Sequence, residues 1–189
     1  MDMTGTESSA DPRLAELVNR YDKWRRIYTY AGQPARDAPV WEADRLHLRR
    51  GYPYPDWTSY IVEPTDGGYN VLTATTERRN EPLESLSGFF TDADDAGKYV
   101  IWNVGESLRM SCRLDPIMWA WEDAGLDPRV QQTSLEKYVS KYELKSEPSR
   151  YFILRAGGIQ PANHLLPLTY DELDAQLLAG MPESVLSHL

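Results

Sequence analysis

Cysteine, histidine and phenylalanine are scarce in this chain, and each scarcity closes off a class of protein. One cysteine, Cys112, stands among 189 residues, so no intramolecular disulfide can form and no paired-thiolate zinc spacing exists. The three histidines, His47, His164 and His188, are far apart, and none belongs to a His-x-x-x-His or Glu-flanked pair. No apolar run approaches the roughly 20 residues that a membrane-spanning helix needs. Positive charge is short as well. Twenty Lys and Arg face 29 Asp and Glu, giving a net charge of −9. Basic pairs occur at Arg25-Arg26, Arg49-Arg50 and Arg78-Arg79, but no basic stripe. A nucleic-acid binder needs clustered cations to displace counterions, and an anionic membrane surface attracts the same clusters. Neither partner is expected. A basic protein partner suits the charge better, because opposite fields speed encounter. Acidity that merely keeps a cytoplasmic protein soluble is the plainer alternative.

What is present reads as a globular α+β protein. The composition is 41% hydrophobic and 26% charged, which is globular rather than disordered. The length suits one domain with a core of its own. Six Trp and twelve Tyr against three Phe favour surfaces buried on one side, either a core rim or an interface.

Residues 1–10 are small and polar, with no apolar signal region, and read as a disordered leader to a single domain over 11–189. A cytoplasmic location is the default. Asp11-Pro12 caps a first helix carrying Leu14, Leu17, Val18, Tyr21, Trp24 and Tyr28, which Gly32 and Pro34 stop. Trp41, Ala43, Leu46 and Leu48 then alternate with Glu42, Arg45, His47 and Arg49, as in one half-buried strand. Further strands are expected over 59–63, 69–74 and 85–90, with a turn at Thr65-Asp66-Gly67-Gly68. Thr91 and Asp94 read as a capping box for a helix whose stripe is Ala93, Ala96, Val100, Val104 and Leu108. A short helix follows Asp115-Pro116 and closes at Gly125. Residues 134–144 and 151–155 read as two strands, and Thr169 with Glu172 opens a last helix. The expected architecture is α+β: an antiparallel β-meander packed by a central helix, with N-terminal and C-terminal helices.

Chemistry is sparse. There is no Gly-x-Ser-x-Gly elbow, and Gly157-Gly158 lacks the Gly-Lys-Ser/Thr of a phosphate loop. Asp92, Asp94 and Asp95 resemble calcium-loop acids, but they suit a helix start without further assumptions. Cys112, between Arg109 and Arg113, is either an activated thiolate or a structural thiol at a helix end. Glu42 and Glu63 on neighbouring strands are a conceivable acid–base pair for a small hydrolase. The expectation is no catalytic residue, no cofactor and no metal. Two segments look like binding surfaces. Tyr52, Tyr54, Asp56 and Trp57 lie in a loop stiffened by two prolines, and a stiff aromatic loop loses little entropy on docking. Tyr52 and Trp57 could equally fold back over the sheet. Gly157, Gly158, Gln160 and Asn163 supply small residues and amides that enter a cleft, or else an ordinary strand-to-helix connection.

The order of features is recognisable. An N-terminal helix with Trp24 precedes Val40-Trp41-Glu42. Gly88-Phe89-Phe90 then runs into Asp94-Asp95-Ala96-Gly97-Lys98-Tyr99-Val100-Ile101 and on to Gly105-Glu106-Ser107-Leu108-Arg109. This resembles a family of bacterial polymorphic-toxin immunity proteins, the one that includes the antitoxin of tuberculosis necrotizing toxin, most strongly over residues 40–110. The resemblance implies an α+β immunity protein that binds one cognate toxin in the cytoplasm and occludes its active site, which for the antitoxin just named is that of an NAD glycohydrolase. It carries over no catalytic or interface residue. A secretion chaperone or adaptor is the alternative.

Overall fold

The computed structural model describes residues 10–189. The leader expected over residues 1–10 lies, apart from Ala10, outside the described residues. Asp11 accepts a hydrogen bond from the Arg13 amide at 3.0 Å and starts a 3₁₀ turn, Pro12–Leu14, that runs into α1 (Ala15–Tyr30). Leu17, Tyr21, Trp24, Ile27 and Tyr28 form its buried face, and Gly32 ends it with a φ of +71°.

The single strand expected over 41–49 is a hairpin instead. Strand β1 (Val40–Glu42) turns at Ala43-Asp44 into β2 (Arg45–Arg50), with Ala43 at a φ of 45°. Ala43 lacks the turn chemistry that marks such a break, so period-2 alternation ran straight through it. Strands β3 (Thr58–Thr65), β4 (Gly68–Thr75) and β5 (Leu83–Phe90) continue the meander. After helices α2 (Ala93–Ser111) and α3 (Ile117–Ala124) come β6 (Val130–Glu136), β7 (Val139–Leu144) and β8 (Glu147–Leu154). Here too one expected strand, 134–144, is two, split at Tyr138 with a φ of 62°. A 3₁₀ turn (Pro161–Leu165) leads to α4 (Tyr170–Leu178) and a short α5 (Glu183–Leu186), which the sequence reading did not foresee.

The eight strands among the described residues make one antiparallel sheet in the order β1-β2-β3-β4-β5-β8-β7-β6. The two halves join where Gly88, Phe89 and Phe90 pair with Leu154, Ile153 and Phe152. The join depends on Gly88. A Cβ there would lie 2.9 Å from the Ile153 carbonyl oxygen, inside contact distance, so a larger residue would force the strands apart.

The helices cover one face of the sheet. Leu46, Leu48, Val62, Val71, Phe90, Phe152 and Tyr142 meet the α2 stripe of Ala96, Val100, Val104 and Leu108 in a common core with Tyr21, Trp24 and Tyr28. Burying each such side chain contributes about 1.5–3 kcal/mol, against well under 1 kcal/mol per residue from helix propensity, so packing decides where these helices lie. The capping box Thr169–Glu172 forms as expected. Two other starts differ. The cap of α2 is Asp92, which accepts from the Asp94 and Asp95 amides, while the Thr91 hydroxyl exchanges hydrogen bonds with the Tyr151 backbone. Helix α3 is not capped by Asp115. The Glu106 carboxylate of α2 accepts from the Ile117 and Met118 amides at 3.1 and 2.8 Å and from the Trp102 indole at 3.1 Å. Glu106→Ala is therefore expected to lower stability by about 1–2 kcal/mol, because it strands buried donors. Glu106→Gln should recover part of the loss in urea melts. No helix among the described residues is long and apolar enough to cross a membrane.

Candidate functional site

The buried charges of the helical layer hold elements together. Asp95 takes both Arg150 nitrogens at 2.8 and 2.7 Å and Lys98 at 2.8 Å. Lys98 also donates to the Leu165 and Leu168 carbonyls, capping the chain before α4. Burial lowers the Lys98 pKa, and Asp95 opposes that shift. Arg109 donates to the Leu177 and Ala179 carbonyls at the end of α4. Asp174 accepts from Arg20, Lys23 and the Trp24 indole. Each group has partners that explain it without substrate.

The residues considered for catalysis are similarly occupied. Glu42 is 2.6 Å from Arg49, which holds its carboxyl below the usual range, and Glu63 is 3.0 Å from Arg45. A general acid at neutral pH needs its pKa raised, so the shift at Glu42 runs the wrong way. Cys112 is the C-cap of α2, and burial raises its pKa despite Arg109, the reverse of an activated thiolate. Among the described residues, no group of three or more His, Cys, Asp and Glu side chains is placed to hold a metal ion.

The exceptions cluster on one strand. Four buried side-chain atoms among the described residues lack a hydrogen-bond partner: Arg45 Nε, His47 Nδ1, Arg49 Nε and the Tyr170 hydroxyl. Three of them lie on β2, at alternate positions that face away from the helices. Of these, Arg45 Nε lies 3.0 Å from a Glu63 carboxylate oxygen and is balanced by that ion pair. A buried polar group left unpaired costs about 1–3 kcal/mol, so His47 Nδ1 and Arg49 Nε, two positions apart on one strand with no ion partner of their own, call for a cause.

His47 and Arg49, the polar partners in the expected half-buried strand, are themselves buried at 7% and 8% exposure. The loop after β2 folds back over them. The Arg49 guanidinium lies 4.4 Å from the Tyr52 ring centre and 5.8 Å from that of Trp57, and the two rings meet edge-on at 5.5 Å. Burial, then the neighbouring Arg49 charge, lowers the His47 pKa, so its imidazole is neutral at pH 7. Tyr52 still shows 47% of its surface, and Tyr54 projects with 73% exposed. Asp56 is exposed and accepts from the Arg78 amide at 3.3 Å.

Beside this cluster, the helix-free face carries the half-buried Leu72, Leu86, Phe89 and Ile153 next to Ile61, which is itself buried at 1% exposure. The registers His47↔Ile61, Ile61↔Leu72 and Leu72↔Leu86 put the first three in a row across the sheet. Phe89↔Ile153 continues the apolar strip toward β7. Arg45, Glu63 and Glu84 rim it on one side, Lys141 and Glu143 on the other.

The second candidate segment is tied down more firmly than a free loop. Gly158, at a φ of +73°, offers its carbonyl to Gln132 and to the Tyr142 hydroxyl at 3.2 and 3.1 Å. Gln160 donates its amide hydrogen to the same hydroxyl, and its side chain bonds the Gly157 carbonyl. Gly157 is exposed beneath the Tyr138 ring, which a Cβ would meet at 2.8 Å. Asn163 is a correction. It is 0% exposed, accepts from the Asp127 amide and donates to the Gly125 and Gln160 carbonyls, so it staples two loops and offers nothing to a partner. The two segments are not brought together. One follows β2 and the other packs on β6 and β7, four strand spacings from β3, or about 20 Å. Sequence reasoning found the aromatic loop but missed Arg49 and His47, because their alternation with Leu46 and Leu48 is what a solvated strand face shows.

No protein-family model matches the chain, and no curated protein matches it. Among solved structures, Rv3902c from M. tuberculosis is similar, with a TM-score of 0.54 at 13% identity over 82% of this chain and 87% of that one. At that identity the likeness is one of fold.

Proposed function

We propose that this protein is an immunity protein without catalytic activity of its own, which binds one cognate toxin through the helix-free face of its sheet and the Tyr52–Trp57 loop. The observation that carries this reading is the cluster on β2. Unpaired donors and a clamped guanidinium sit beside an apolar strip that no helix covers, which is the composition of an interface centre with a polar rim. Arg, Tyr and Trp are also the side chains that most often dominate binding energy. The resemblance of residues 40–110 to toxin immunity proteins points the same way. The net charge of −9 favours a basic target. Occlusion of an NAD glycohydrolase cleft is the finer form of the proposal. The toxin to test is the one encoded beside this protein. Co-expression should protect cells, and the purified pair should form a one-to-one complex. Arg49→Ala and Trp57→Ala should each weaken it about tenfold or more, mainly through faster dissociation. Failure to protect removes the immunity reading. Binding without inhibition would make the protein an adaptor or secretion chaperone instead.

A further inference from the structure

Arg36 is the one buried cation described here that is matched by phenols rather than by a carboxylate or by capped carbonyls. It is 4% exposed, and no acid among the described residues lies within ion-pair distance of it. Its Nε donates to the Tyr21 hydroxyl at 3.2 Å, one terminal nitrogen reaches the Leu48 carbonyl at 3.5 Å, and its guanidinium lies 5.8 and 5.6 Å from the Tyr21 and Tyr60 ring centres. Aromatic faces compensate a desolvated guanidinium only in part. Arg36 lines a cavity of about 390 Å³ at the end of the sheet. Arg50 and six hydroxyl-bearing residues, Thr58, Thr73, Thr75 and Ser107 among them, line it too, in a protein that is strongly acidic overall. Glu77 is the one acid in the lining, and it is exposed. A second cavity of about 200 Å³ shares Tyr60 and Ser107 with the first and is walled by Trp102, Met110 and Met118, with Glu106 its one acid, whose carboxylate already accepts from the Ile117 and Met118 amides and the Trp102 indole. Together they make a cationic, hydroxyl-lined chamber with an apolar annex.

We propose that this paired cavity binds a small amphiphilic oxyanion: a phosphate or carboxylate group seated between Arg36 and Arg50, with a short aromatic or apolar arm against Trp102 and Met118. Arginine suits both head groups because its planar fork meets two oxygens at once, and hydroxyls supply further donors. The site lies on the helix side of the sheet, so it stands or falls independently of the proposed toxin surface.

The test is calorimetric titration of the full-length protein with phenyl phosphate, 3-phenylpropionate, inorganic phosphate and phenethylamine. At least one aromatic anion should bind saturably at one site and quench tryptophan fluorescence. It should bind about tenfold or more tighter than inorganic phosphate, and the amine should not bind. Whichever aromatic anion binds tells whether the natural head group is a phosphate or a carboxylate. Arg50→Ala, at an exposed position where folding is not at stake, should weaken binding at least about tenfold. Arg36→Lys, which keeps the charge and loses the fork, should weaken it too. Absence of saturable binding by both aromatic anions overturns the proposal, as does binding that Arg50→Ala leaves unchanged.

Discussion

Asp95→Ala is expected to lower the unfolding free energy by about 3–5 kcal/mol, the range for breaking a buried ion pair by removing one partner. Asp95 has a side chain 1% exposed and is the common acceptor of Lys98 and Arg150, whose own side chains are 2% and 27% exposed. Without it, Lys98 keeps the Leu165 and Leu168 carbonyls but loses the one carboxylate within ion-pair distance among the described residues, and burial already favours its neutral form. Arg150 loses both hydrogen bonds that tie β8 to the start of α2. Arg150→Ala should cost less, because its side chain is partly solvated and Asp95 would retain Lys98. Urea denaturation of the two variants checks the order. A loss below about 1 kcal/mol for Asp95→Ala would mean that the triad is mere surface pairing.

Gly97→Val should cost about 3 kcal/mol, at the upper end of core overpacking. By propensity alone, glycine inside a helix is a weakness, and its replacement by alanine gains up to about 1 kcal/mol. Tertiary packing reverses that sign here. A Cβ at Gly97 would lie 1.8 Å from the Tyr170 hydroxyl oxygen and 3.1 Å from Leu17 Cβ. Even Gly97→Ala is therefore expected to destabilise. The Tyr170 hydroxyl is buried without a hydrogen-bond partner, so Tyr170→Phe alone should be neutral or slightly stabilising. In a double-mutant cycle, Tyr170→Phe should return part of the loss at Gly97, since it removes the nearest clashing atom. Additive thermal melts would show that the two positions do not meet.

Both predictions rest on α2, whose place in the sequence is plain and whose partners are not. Its apolar stripe repeats every three to four residues, a signal held within 19 consecutive residues. The Thr169–Glu172 capping box was equally legible, because both partners lie within one turn. The start of α2 shifted by one residue, since the Tyr151 backbone, 60 positions away, claims the Thr91 hydroxyl and leaves Asp92 to cap. The cap of α3 came from Glu106, 11 residues upstream on another helix.

The sequence by itself determined the fold class, most strand and helix positions, the scarcity of catalytic motifs and the stiff aromatic loop. All of these are encoded in local period, turn chemistry and residue type. Tertiary structure alone decided that Ala43 and Tyr138 turn the chain at positive φ, and that the two halves share one sheet through Gly88. It also decided that Asn163 is an internal staple and that the Tyr52–Trp57 loop closes over Arg49 and His47. These depend on atoms far apart in the chain, whose approach leaves no periodic trace in the residues between them.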